Sequence, residues 1–175
     1  MTIGAAVTNM SPIDRLLAIE EIKQLKARYF RCVDTKDWEG LAAVFAPDAT
    51  FDRRGAANVR DPWTSEWSPP LPADSDIRAG RAAIICMIRD AVEHLHTVHH
   101  GHTPEIDVID EVTARGIWAM EDELHDRGLR LVLRGRGHYH ETYARLPTGW
   151  VIKSSRISRL ALTRSDGTSD AGARP

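Results

Sequence analysis

Four consecutive segments in the second half of the chain have the alternation of apolar and polar residues that is typical of β-strands. They span residues 97–109, 113–124, 129–145 and 149–162. Short connections rich in Gly, Asp and Pro separate them, so each strand can pair with the next. The pattern predicts an antiparallel meander, which needs an apolar cover on one of its faces.

Helices in the first half of the chain are expected to provide that cover. Ser11 and Pro12 are typical of a helix start, and apolar residues then recur at helical spacing to about Asp34. A shorter helix is predicted after Asp37, and a third between residues 80 and 92. The expected fold class is therefore α+β, with a curved sheet wrapped around N-terminal helices and a cavity between the two layers.

Residues 11–162 are predicted to form a single domain, with a flexible N-terminus (1–10) and a flexible tail (163–175). Within the domain, residues 52–76 contain four prolines and little periodicity, which favours a long loop. Trp63 and Trp67 lie in this stretch. Because a disordered segment is normally poor in aromatic residues, we expect the loop to cover the cavity.

Composition limits the expected partners and location. Lys and Arg total 23 against 25 Asp and Glu, for a net charge of −2, so no strongly basic surface is expected. This balance argues against nucleic-acid and anionic-membrane partners. Cys32 and Cys86 are isolated, which favours reduced, packed thiols and a cytoplasmic protein over a disulfide framework or a zinc site.

All eight histidines lie between His94 and His140, and five of them fall within residues 94–102. No H-E-x-x-H spacing is present, and His99 and His100 point to opposite faces of a strand, so a metal site is not expected. The alternation leaves open which of these two faces the cavity, because a register shift of one residue would exchange them.

Two residues near the end of the first helix could serve a histidine in acid–base chemistry. Tyr29 and Asp34 could both face the cavity if the last helical turn loosens or bends. An acidic group beside an imidazole fixes its tautomer and raises its basicity. Asp34 and His99 therefore form the predicted pair.

Two charged residues extend this candidate site onto the strands. Asp122 shares a strand face with Trp118 and Met120, so a carboxylate is predicted in the interior. Arg159 ends an inward-facing row on the last strand that includes Ile157, and it could balance the charge of Asp122 or Asp34.

Four segments resemble a known family. Residues 29–34 (YFRCVD), followed by Trp38 and residues 45–49 (FAPDA), resemble the start of SnoaL-like proteins of the nuclear transport factor 2-like superfamily. Residues 99–106 and 118–122 are similar to segments of bile acid 7-alpha-dehydratase. Scytalone dehydratase and the dehydrochlorinases are more distantly similar. The resemblance covers residues 13–162 and implies a cone-shaped, cystatin-like fold.

The resemblance also implies an activity and the residues that perform it. Its catalytic positions fall on five residues: Tyr29, Asp34, His99, Asp122 and Arg159. It implies no metal or organic cofactor, and a homo-oligomer, with a trimer favoured over a dimer. We expect a dehydratase or related lyase that acts on an apolar cyclic substrate, steroid-like or polyketide-like. The alternatives are an isomerase or cyclase, or a non-catalytic subunit resembling the ring-hydroxylating dioxygenase β-subunit.

Overall fold

The structure, a computed structural model, describes residues 10–72 and 76–165, so nearly all of both predicted flexible ends falls outside it. Its helices are α1 (Pro12–Thr35), α2 (Trp38–Val44) and α3 (Arg81–Val92). Its strands are β1 (Phe45–Arg60), β2 (Trp67–Ser68), β3 (Ile77–Ala79), β4 (His96–Val108), β5 (Thr113–His125), β6 (Leu131–Leu146) and β7 (Gly149–Arg164). Among the described residues, no helix is long and apolar enough to cross a membrane.

Helix α1 begins and ends where local chemistry predicts. The Ser11 side chain accepts a hydrogen bond from the backbone N–H of Asp14, which satisfies one free amide of the first turn. The helix ends at Lys36, whose left-handed backbone lets its N–H bond the carbonyls of Cys32 and Val33. Apolar residues one turn apart, including Ile22, are buried against the sheet.

The sheet has the strand order β2-β1-β7-β6-β5-β4, with β3 paired to β1. Strands β4 to β7 pair antiparallel in sequence, so the predicted meander is confirmed. The α+β class is confirmed as well, with the helices packed on one face of a curved, open sheet. The pairings of β1 were not predicted: β1 runs parallel to β7 and adds a strand to that edge of the meander, and it pairs antiparallel with β2 and β3.

Strand β1 corrects the predicted loop over residues 52–76. The strand continues to Arg60, although its register against β7 shifts three times along its length. Each shift inserts residues that break the period-two alternation, so the segment does not have a strand-like pattern in sequence. Pro47 lies exposed inside the first shift.

The tryptophan segment was expected to cover the cavity, but the structure does not place it there. Trp63 is 71% exposed. Trp67 pairs with Arg60 through β2 and lies beside Gly55 on the outer side of β1. Neither tryptophan is among the residues that line the cavity.

Two smaller differences concern the last strand and the thiols. Strand β7 runs to Arg164, two residues beyond its predicted end, because it continues to pair with β6 there. Cys32 is buried as expected, whereas Cys86 is exposed on α3.

Candidate active site

A cavity of about 190 Å³ lies between the helices and the concave face of the sheet. Most of its wall is apolar, and its polar end is formed by four side chains that converge from separate elements: Tyr29, His99, Asp122 and Arg159. Helices α1 and α3 and strands β1, β4, β5, β6 and β7 all contribute to the lining. The site therefore depends on the whole tertiary arrangement.

Asp34 holds His99 from behind. Its carboxylate lies 2.6 Å from Nδ1 of His99 and also accepts hydrogen bonds from the His99 backbone N–H and the Thr97 hydroxyl. Partial burial acts to raise the pKa of Asp34, but the contacts with His99 and Thr97 outweigh burial and lower it. A charged Asp34 favours the tautomer in which Nδ1 carries the proton, leaving Nε2 free to accept one.

The other ring nitrogen of His99 faces the polar end of the cavity. His99 pairs directly with Asp122 across β4 and β5, and its Nε2 lies 4.0 Å from an Asp122 carboxylate oxygen. His100 is exposed on the opposite face of β4. The structure thus places His99, not His100, at the cavity.

Asp122 and Arg159 form a buried ion pair with two parallel hydrogen bonds of 2.9 and 2.6 Å. Arg159 is also held by the backbone carbonyl of Ala56, at 3.1 Å from its Nε. Gly135 lies opposite Asp122 on β6, and a Cβ atom there would collide with both charged groups. In this arrangement the pair occupies the space that a side chain at position 135 would need.

Tyr29 and Tyr139 supply the hydroxyl groups of the cavity. Their ring centroids are 5.9 Å apart, and the rings are nearly perpendicular. Burial raises the pKa of both hydroxyls, so both stay protonated at neutral pH and can donate hydrogen bonds.

The structure corrects the expectation for Asp34 and adds Tyr139 to the candidate site. Asp34 does not line the cavity beside Tyr29; helix α1 stays regular to Thr35, and Asp34 reaches β4 instead. Tyr139 was missed in the sequence, although it shares the alternation of the buried residues Glu141 and Tyr143 on the same strand. That alternation could have placed it inside.

A larger depression of about 800 Å³ lies on the outer face of the sheet, where it is lined by residues of β4 to β7 including Arg115 and Arg156. It contains none of the five predicted site residues. We locate the candidate site in the smaller cavity because His99, Asp122 and Arg159 converge there within an apolar wall. In the described part of the chain, no three His, Cys, Asp or Glu side chains form a group that could hold a metal ion.

Comparisons with known proteins agree with this fold. A scytalone dehydratase-like protein from Novosphingobium aromaticivorans is 17% identical, with a TM-score of 0.70 over 94% of this chain and 100% of that one. The dehydrochlorinase LinA-type3 from Novosphingobium barchaimii is 17% identical, with a TM-score of 0.66 over 94% and 98%. A relative from Gibberella zeae named "Probable cyclase FGR4" is 24% identical over 146 residues, 79% of this chain and 89% of that protein.

The similarity to bile acid 7-alpha-dehydratase noted in the sequence stays a prediction, since these comparisons do not show it. The described fold and the neighbours of dehydratase and cyclase type agree with the resemblance at the level of the family. The SnoaL-like domain family matches residues 14–156, most of the chain. The chain therefore belongs to the SnoaL-like domain family.

Proposed function

We propose that this chain is a cofactor-independent lyase that removes water, or a similar leaving group, from an apolar cyclic substrate. The observation that carries the proposal is His99, which is held by Asp34 on one side and faces an apolar cavity on the other. A base fixed in one tautomer beside hydroxyl donors is what an elimination next to a carbonyl requires.

The proposed reaction begins when Nε2 of His99 removes a proton from the carbon next to the substrate carbonyl. The electron pair of the broken C–H bond moves toward the carbonyl, and Tyr29 and Tyr139 donate hydrogen bonds to the oxygen that gains charge. The C–O bond to the leaving hydroxyl then breaks as the C=C bond forms. The proton on His99 passes to that hydroxyl, which departs as water.

Asp122 and Arg159 are proposed to set the electrostatics of the polar end. Their ion pair is buried and held on several sides, so it presents a fixed dipole to the substrate. Asp122 also lies close enough to His99 to stabilise the imidazolium formed after proton transfer.

The cavity volume supports a small ring system as the substrate. At about 190 Å³, it is below the roughly 300 to 1,000 Å³ usual for drug-sized ligands. Of the two substrate classes expected from the sequence, a one- or two-ring polyketide-like compound therefore fits better than a steroid-like one.

The test is proton exchange on a panel of one- and two-ring β-hydroxy ketones in D₂O, followed by NMR, with loss of water followed by mass spectrometry. His99→Ala is expected to abolish exchange while the protein stays folded. His100→Ala, its exposed neighbour, is the matched control and is expected to retain activity. Full exchange by folded His99→Ala would overturn the assignment of the base.

The second candidate is a cyclase or isomerase that uses the same base, favoured by the cyclase relative from Gibberella zeae. The same experiment separates the two. Exchange with ring closure or a shifted double bond, without loss of water, supports this alternative. Absence of exchange from wild-type protein across the panel would argue against both and favour the non-catalytic subunit, for which a co-purifying iron–sulfur partner is the expected sign.

We further propose a homo-oligomer assembled through the outer face of the sheet, with a trimer favoured. Three large apolar residues are exposed on that face: Val98, Ile117 and Leu160. The resemblance noted in the sequence implies an oligomer, and a contact through this face would cover these side chains. Native mass spectrometry of the purified protein measures the state directly, and a monomer would contradict the proposal.

A further inference from the structure

Helix α1 carries a fully buried lysine one turn before Tyr29. The side chain of Lys26 is 0% exposed, and its Nζ lies 2.6 Å from Oε1 of Glu141, which is also fully buried. Removing such a pair from water costs several kcal/mol per ion. The Lys26–Glu141 ion pair is therefore costly to bury, and the proposed reaction gives it no role.

The ammonium group of Lys26 lies against the aromatic wall of the cavity. It is 3.5 Å from the ring centroid of Tyr139, 4.3 Å from that of Tyr29 and 4.9 Å from that of Phe30. Phe30 in turn stacks on His99. Lys26 is not itself among the residues that line the cavity, so its charge acts through these rings.

Glu141 is held by other donors besides Lys26. It accepts hydrogen bonds from the hydroxyls of Tyr143, at 2.6 Å, and Ser155, at 3.0 Å. In the part of the chain that the structure describes, Glu141 is the one hydrogen-bond acceptor of the Lys26 ammonium. The carboxylate is thus shared among several donors, while the remaining surface of the ammonium contacts rings.

We propose that Lys26 is a positioning residue that strengthens Tyr29 and Tyr139 as hydrogen-bond donors to an oxyanion in the cavity. A cation over the face of a phenol ring draws electron density from it and makes its hydroxyl a better donor. The inference rests on the proposed function, because it is the elimination that places an oxyanion beside these hydroxyls.

The test measures anion binding rather than turnover. The probe is 4-nitrophenol, whose ionised form is detected by its visible absorbance, and nitrobenzene is the matched compound without a hydroxyl. Lys26→Gln removes the charge but keeps a donor to Glu141. The double variant Lys26→Met with Glu141→Gln removes both charges, so the inference can still be tested if Lys26→Gln does not fold.

Each neutralised variant is expected to bind the phenolate about tenfold more weakly than wild type and to bind nitrobenzene as tightly. Lys23→Met, an exposed lysine on the same helix, is expected to leave both affinities unchanged. In ¹³Cζ-tyrosine NMR, the Tyr29 and Tyr139 signals, assigned among the three tyrosines by Tyr→Phe variants, are expected to shift in the neutralised variants.

An unchanged ratio of phenolate to nitrobenzene affinity in a folded variant would overturn the inference. Equal weakening of both ligands would also overturn it, since this would show a purely structural role. This test is independent of turnover. If the protein is an active lyase but the affinity ratio is unchanged, only this inference is wrong. If the protein is inactive but the affinity ratio changes as expected, only the proposed function is wrong.

Discussion

At the scale of single residues, the chemistry of the site depends on which ring nitrogen of His99 each carboxylate faces. Asp34 bonds Nδ1 at 2.6 Å, whereas Asp122 is committed to Arg159 and stands 4.0 Å from Nε2. The two carboxylates therefore have different tasks, although both are near the same ring. Asp34 orients the base, and Asp122 faces the charge that the base acquires.

Asp34→Asn tests that division. The amide keeps the shape of the side chain but loses the charge that favours the Nδ1-protonated tautomer, so proton exchange should fall by about 10²- to 10⁴-fold. The rate is measured with the ketone panel at fixed pH. Thr97→Val, which removes the hydroxyl that donates to Asp34 and accepts from Lys36 but leaves the Asp34 charge, serves as the comparison and should cost much less. Equal losses in the two variants would contradict the role given to the Asp34 charge.

At the scale of elements, strand pairing decides how closely the charged groups meet. The register of β5 against β6 puts Gly135 directly opposite Asp122, and the register of β4 against β5 puts His99 on its other side. A one-residue shift in either pairing would replace these neighbours and turn the polar groups toward solvent. The geometry of the site therefore depends on the register of both strand pairs, β4 with β5 and β5 with β6.

Gly135→Ala is expected to destabilise the protein by about 1 to 3 kcal/mol, because the added methyl group collides with the Asp122–Arg159 pair. Urea unfolding measures the free energy. In an Arg159→Ala background the same substitution should cost less, since one of the colliding groups is gone. Strictly additive costs would show that the collision is not with this pair.

At the scale of the whole molecule, the two faces of the sheet differ in chemistry. The concave face holds the cavity, while the outer face carries arginines and histidines, including His140, Arg156 and His138. Burial, followed by the charges of Arg156, His138 and Arg60, lowers the pKa of His140. Protonation of His140 is thus disfavoured in the folded protein.

The sign of the resulting pH effect follows from linkage. The unfolded chain binds a proton at His140 more readily than the fold does, so this contribution to stability is full above the ordinary value of 6.5 and is lost as the pH falls below it. Urea midpoints between about pH 8 and about pH 5.5 should therefore decrease less in His140→Gln than in wild type. His102→Gln, at an exposed position, is the control; an identical decrease in all three proteins would contradict the prediction.

Part of the candidate site was predictable because its residues lie on elements with a clear period. Asp122 and Arg159 follow the alternation of their strands, and Tyr29 follows the apolar stripe of α1, whereas the alternation did not decide between His99 and His100. Asp34 lies outside that stripe, so the helical period of α1 could not predict whether its side chain reaches the cavity or strand β4. Its partner lies 65 residues away in sequence, and only packing brings the two together.

The sequence by itself determined the elements with regular periods: the capped first helix, the four-stranded meander, and the inward direction of most of the site residues. Tertiary structure decided the rest. Strand β1 lost its alternation to register shifts, and its parallel pairing with β7 joins distant parts of the chain without any local signal. The burial of Lys26 with Glu141 was equally hidden, because local sequence sets the direction of a side chain but only the packed fold sets what it meets.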